Sequence, residues 1–161
     1  MTQSLKAFLY RSLAIAGCIA GASMMASSAF AGECPAGAMK PNAREPVNFQ
    51  PVGVTDTTLG AIDLGKEMVG AKDHELRFRK LTVAPGGIVP WHSHDDRPAL
   101  IYIAEGEIME YASNCAQPIV HKAGDIRPET RGTSHWWKNL GDKTVVIYVG
   151  DVLHDKSDHN M

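Results

Sequence analysis

From residue 75 to residue 149 the chain is a succession of short apolar runs separated by turns, most of them containing glycine, and no stretch among them holds a helical period. Runs this short, spaced this closely, cannot bury themselves as helices. They leave an all-β sandwich or barrel as the architecture. Residues 75–83 (ELRFRKLTV) alternate through Leu76 and Phe78 and then change phase at Leu81 and Val83, which predicts a bulge. Pro85-Gly86-Gly87 predicts a turn, residues 88–94 a further strand, and Asp95-Asp96-Arg97-Pro98 a loop. Three hairpins are expected next: 99–104 with 107–111 about Glu105-Gly106, 118–121 with 126–129 about Ala123-Gly124-Asp125, and 134–138 with 143–149 about Leu140-Gly141-Asp142. A helical turn is expected, if anywhere, only after Asp151.

The first 31 residues stand apart from this pattern. Lys6 and Arg11 precede an apolar segment, residues 13–25, and Ala29-Phe30-Ala31 offers a cleavage site before Gly32, so the segment reads as a secretory signal. A lipobox ending at Cys18 is the first rival reading, but few apolar residues separate Cys18 from Arg11. An uncleaved anchor is the second, weakened by the Gly, Ala and Ser content. The expected location is therefore exported, in a bacterial periplasm. Without residues 1–31 the chain keeps 14 Lys and Arg against 18 Asp and Glu, a formal charge of −4. That balance argues against nucleic acid and anionic membrane surfaces as partners. A small-molecule ligand is expected instead, with no membrane contact after signal cleavage and a homodimer left open.

The 161 residues suffice for one domain with a core and not for two. Prolines at 35, 41, 46 and 51 give residues 32–57 the character of an extended N-terminal arm. The barrel is expected over 58–153, with a first short strand at 58–64, and a tail over 154–161. Cys34 and Cys115 form an even pair in an oxidising compartment, which predicts a disulfide between arm and barrel; two separate buried thiols are the alternative.

His92 and His94 stand one residue apart on the strand expected at 88–94. Alternation puts both on one face with Cα atoms about 6.6 Å apart. Both imidazoles then reach one ion at about 2.1 Å. His135 lies on another short strand, in phase with Trp137, which either packs in the core or lines the same cavity as a substrate contact; Trp91 and Trp136 would face outward or into a partner. The other histidines, His74, His121, His154 and His159, fall in turns or the tail and are expected to be solvated.

These residues resemble the two motifs of the cupin superfamily. Gly86, His92, His94 and Gly106 match the first motif, and Gly124, Gly132, His135 and Asn139 match the second, in register over residues 76–150. The resemblance implies a cupin-type jelly-roll β-barrel holding one divalent transition metal ion, iron, manganese, nickel or zinc, by three histidines and a glutamate. Thr130 stands where the second motif has proline, a minor change. Ala99 stands where the first motif has its glutamate, which removes the acidic ligand. Three readings remain open: a substitute acid from Asp95, Asp96 or Glu129; an ion held by His92, His94 and His135 alone; or a barrel that has lost its metal.

A three-histidine site leaves the ion's double charge uncompensated and favours an anionic, chelating substrate. Arg97 is the candidate to pair with a substrate carboxylate, and Arg97 or Glu129 the candidate catalytic group; a salt bridge from Arg97 to Asp95 or Asp96 is the plain alternative. Two functions follow, and the sequence does not choose between them. One is a metal-dependent oxygenase, a dioxygenase or related oxidoreductase, acting on a small organic acid or phenolic compound. The other is a non-catalytic barrel that binds a small ligand or a metal.

Overall fold

The computed structural model describes residues 32–154, so the signal expected over 1–31 and all of the tail beyond His154 lie outside them. Eight strands follow one another: β1 (Val52–Asp63), β2 (Glu75–Ser93), β3 (Ala99–Glu105), β4 (Glu107–Ala112), β5 (Ile119–Lys122), β6 (Ile126–Glu129), β7 (Ser134–Lys138) and β8 (Val145–Leu153). They form one curled antiparallel sheet in the order β5-β4-β7-β2-β8-β3-β6, with β1 paired to β2. This is the all-β barrel architecture expected. β1 starts before residue 58, and β8 runs on through Leu153 where a helical turn was expected.

The curl depends on β2. Its first half pairs with β8, from Glu75↔Leu153 to Val83↔Val145, and its second half pairs with β7, from Ile88↔Lys138 to Ser93↔Ser134. Pro85-Gly86-Gly87 is therefore a bend within one 19-residue strand and not the turn expected there. Gly86 has φ +74°, and a Cβ on Gly87 would stand 2.7 Å from both Ala84 O and Val83 Cγ1, so the bend needs glycine at both positions.

None of the three expected hairpins forms. β3 pairs with β6 and β8, whereas β4 pairs with β5 and β7, so Gly106 turns a corner between two walls of the barrel. The turns at Gly124 and Gly141 likewise connect strands that pair elsewhere. Glycine turns at a jelly-roll corner and at a hairpin have the same local chemistry. Core burial chooses the partner strand.

The inward face of 75–83 also differs from expectation. Arg79, Leu81 and Val83 are buried without a change of phase along β2–β8, while Leu76 and Phe78 point out, and the register shift lies on the β1 side. Arg77 and Arg79 can face inward because Asp151, on β8, accepts from both: from Arg77 at 2.7 and 3.1 Å and from Arg79 Nη2 at 3.1 Å. On the outer face, Phe78 stacks on Tyr148 with ring centroids 5.6 Å apart, and Leu76, Leu100, Tyr102 and Ile126 are exposed on the same wall. Inside, Leu81, Val83, Val89, Ile101, Ile103, Ile108, Val145, Ile147 and Val149 form the main core.

The arm is laid against β5 and the connection that follows β4 by backbone hydrogen bonds from Gly32 to Val120 (3.0 Å), Lys40 to Asn114 (3.0 Å) and Ala43 to Ser113 (2.7 Å). The expected Cys34–Cys115 disulfide is present, packed with Ala38, Ala112 and Ile119. It closes a loop with a sequence separation of 81. Chain entropy then gives about 4–5 kcal/mol of stabilisation. Reduction should lower the denaturant midpoint by a corresponding amount, and thiol titration of the unreduced protein should find neither cysteine free.

Candidate metal centre

His92 and His135 are direct cross-strand partners on β2 and β7, and His135 in turn faces Ala112 on β4. The fully buried alanine leaves space in that row for the imidazole. A bulge between Val89 and His92 turns the end of β2 inward, and His94 follows just past the strand. The three rings pack edge to face, with centroids 4.5–5.0 Å apart. His135 Nε2 lies 3.1 Å from both His92 Nε2 and His94 Nε2.

The opposite ring nitrogens fix the tautomers. His92 Nδ1 donates to Pro90 O (2.9 Å) and His94 Nδ1 to Arg97 O (2.8 Å), and a carbonyl can only accept. His135 Nδ1 donates to the Glu110 carboxylate at 2.7 Å; Trp137 Nε1, 3.3 Å from the same nitrogen, is the weaker neighbour. Each neutral ring then presents a bare Nε2 lone pair to the same point. Three lone pairs at this spacing repel unless a cation lies between them. Cis ligands bound at about 2.1 Å stand about 3.0 Å apart in octahedral geometry, so the donor set fits a divalent ion.

Burial pushes the His92 imidazole well below its ordinary value and His94 down to about 4, with neighbouring His135 adding to both shifts. Both rings are therefore neutral, and ready to bind a metal, at neutral pH. An imidazole neutral in the folded chain protonates only in the unfolded one as pH falls below about 6.5. Metal-free protein should accordingly lose stability from about pH 6.5 down to about pH 4, by about 3 kcal/mol from His94, and no further from that group below its folded value. Denaturant melts of chelator-treated protein along that range measure the loss.

No carboxylate joins the three histidines among the described residues. Asp95 and Asp96 are exposed, and Asp95 Oδ1 instead accepts the Gly132 N–H at 2.8 Å. Glu129 is buried opposite Ala99 in the β3–β6 register, but it approaches His135 from the Nδ1 side, at 3.7 Å. It sits behind the His135 ring, away from the Nε2 cluster. Burial raises its carboxyl, and Arg127 Nε donates to it at 3.2 Å.

Sequence reasoning missed Glu110 and misplaced His121. Both are fully buried, and His121 Nε2 donates to Glu110 at 2.7 Å while its ring stacks on Trp137. Burial alone would push the Glu110 carboxyl up; hydrogen bonds from His121 and His135 more than reverse this and hold it well below the usual range. The alternation of β4 carried the signal, since Glu110 shares parity with the core residue Ile108. A buried carboxylate on the far nitrogen of a ligand histidine orients the ring and raises its basicity.

A small cavity of about 30 Å³ opens beside His92 and His94, walled by Trp137, Arg79 and five aliphatic side chains. Trp137 thus lines it as expected. Trp136 faces the other way, stacked on Tyr111 at 4.0 Å with Phe49 against its edge. Arg97 is buried, with its carbonyl anchoring His94 and its Nε 4.0 Å from Asp151 Oδ2, a carboxylate the sequence reading did not consider.

Residues 79–150 match the Cupin_2 family, described as a cupin domain. A germin-like protein of subfamily 2 from Arabidopsis thaliana is 27% identical over 96 residues, 56% of this chain and 44% of that protein. Germin-like protein 5-1 from Oryza sativa subsp. japonica is 26% identical over 101 residues, 59% of this chain and 46% of that protein. The chain thus spans less than half the length of these curated relatives. A solved structure from Thermotoga maritima, described as a predicted oxalate decarboxylase, superposes with a TM-score of 0.50 at 19% identity, covering 75% of this chain and 98% of that one. At that identity the likeness concerns the fold alone.

Proposed function

The chain belongs to the cupin superfamily, and from that premise we propose that it is an exported metalloprotein, an oxygenase that binds a small organic acid at an ion held by His92, His94 and His135. One observation carries this reading: three Nε2 atoms turned toward one another, with every Nδ1 already spent as a donor. When bound, a first-row divalent ion, iron, manganese, nickel or zinc, supplies a Lewis acid and a template for an anionic ligand. The chain's own part is to orient. Glu110 fixes the His135 ring, the Arg97 carbonyl fixes His94, and the aliphatic wall excludes water. With Ala99 in the place of an acid, the charge that offsets the ion comes from Glu110, behind the ligand ring.

The small cavity favours a small acid over a phenolic compound. It also suits the alternative, a non-catalytic barrel that captures an ion or a small ligand. The Cys34–Cys115 disulfide supports export, and a periplasmic location is proposed with it. A homodimer is proposed through the exposed apolar wall around Phe78 and Leu100. Element analysis of purified protein, followed by oxygen uptake with a panel of small carboxylates, tests the function. Absence of metal after reconstitution sinks the metalloprotein reading. Stoichiometric metal without oxygen uptake on any substrate selects the non-catalytic barrel.

A further inference from the structure

Behind the three-histidine cluster, His121 has one ring nitrogen without a partner. Its Nε2 donates to Glu110 at 2.7 Å, and Glu110 also accepts from His135 Nδ1 at 2.7 Å. With the proton on Nε2, His121 Nδ1 carries a lone pair and can only accept. The side chain is fully buried, yet Nδ1 meets no donor. A buried acceptor left bare is costly, so a donor is called for at that point. What faces it is Gly32, the first residue after the expected cleavage site. Gly32 is itself buried, and a Cβ on it would stand 3.0 Å from His121 Nδ1 and 3.7 Å from Asp125 Oδ2. Only glycine lets the backbone come this close to the ring.

In an uncleaved chain the Gly32 nitrogen is a peptide nitrogen with a single hydrogen, and Val120 O takes it at 3.0 Å. Hydrolysis of the Ala31–Gly32 bond consumes one water and leaves a carboxylate on Ala31 and an α-amine on Gly32. An α-amine is protonated at neutral pH and then carries several N–H donors. One stays on Val120 O, and the others become free for acceptors that the single peptide hydrogen cannot serve. We propose that the α-ammonium of Gly32, created by signal cleavage, docks among Val120 O, His121 Nδ1 and the Asp125 carboxylate, and so locks the chain of hydrogen bonds from His121 through Glu110 to His135. The amine is a positioning group: it touches neither ion nor ligand, and it acts on His135 through two side chains. Removal of the signal is then also the last step in building the centre. This rests on the export reading, with cleavage before Gly32, and on the three histidines as an ion site.

The test compares mature protein beginning at Gly32 with the same chain retaining Ala31, which displaces the amine by one residue. Acetylation by an N-hydroxysuccinimide ester at neutral pH, read by mass, should be about tenfold slower at the Gly32 amine than at the Ala31 amine. Nitrogen NMR of isotope-labelled histidine should find His121 Nδ1 upfield in the Gly32 form, as an acceptor moves on gaining a donor. An arm that served only as packing would leave that resonance where it is. Zinc affinity, read by competition with a chelator, should be about threefold higher in the Gly32 form, less than the change expected for Glu110 itself. Equal acetylation rates, or the same Nδ1 resonance in both forms, overturn the docking. Equal zinc affinity overturns the positioning role. Should neither form bind zinc while rate and resonance still differ, the ion reading falls and the docked amine stands. Intact mass of the exported protein is read separately, and a start other than Gly32 overturns the cleavage reading and this inference with it.

Discussion

Replacing His135 with alanine should take metal content from near stoichiometric to background, the largest single effect expected at the site. The variant removes the central donor, the one within 3.1 Å of both other Nε2 atoms. It also frees Glu110, which loses the Nδ1–H at 2.7 Å and keeps His121 at 2.7 Å with Arg127 Nε 3.9 Å away. His92→Ala and His94→Ala should empty the site as well. Asp95→Ala and Asp96→Ala should leave metal content unchanged, since both residues are exposed. Glu110→Gln separates orientation from ligation: all three donors remain, and affinity should fall about 10–100-fold. Competition with a metallochromic chelator at pH 7.5 reads all of these. Metal bound normally by His135→Ala would refute the three-histidine assignment.

The second large effect concerns stability. Asp151→Asn keeps the shape of a fully buried side chain but removes the charge that Arg77 and Arg79 share. Breaking a buried pair by removing one partner costs about 3–5 kcal/mol; Arg79 keeps Asp56 and Arg77 is 15% exposed, so the lower end of that range is expected. The exposed pair of Lys122 and Glu107, 3.4 Å apart, is the control, and Glu107→Gln should cost under about 1 kcal/mol. Urea unfolding at fixed pH compares the two. Equal stability of Asp151→Asn and wild type would show that the arginines find compensation elsewhere.

The sequence made the clustered histidines legible because the spacing of His92 and His94 is a local property of one strand and its end. His92, His94 and His135 meet as their motifs implied. The strand positions were legible for the same reason. Partners were not, since a Gly-Asp turn reads alike whether its strands pair or part at a corner. Leu76 and Phe78 misled on the facing of β2: an apolar outer wall imitates a core face, and two arginines point inward only because an aspartate far along the chain meets them. Glu110 and His121 were readable from alternation, but a charged residue is assigned to solvent by default. The partner of Glu110 lies on another strand, which local pattern does not reveal.

The long bent strand has a consequence for how the protein comes into being. β2 enters the chain early, yet one half of it waits for β7 and the other for β8, which ends at Leu153. During synthesis β1 can pair with the first half of β2, but β2 has no further partner until β7 and β8 emerge, so the barrel closes only when the last strand is made. Pairings this distant in sequence close large loops before they gain contacts, and place folding in the slow range of about milliseconds to seconds. A nascent chain that cannot fold early stays threadable. With export, as proposed, the same topology that shapes the mature site would also delay its formation until after passage.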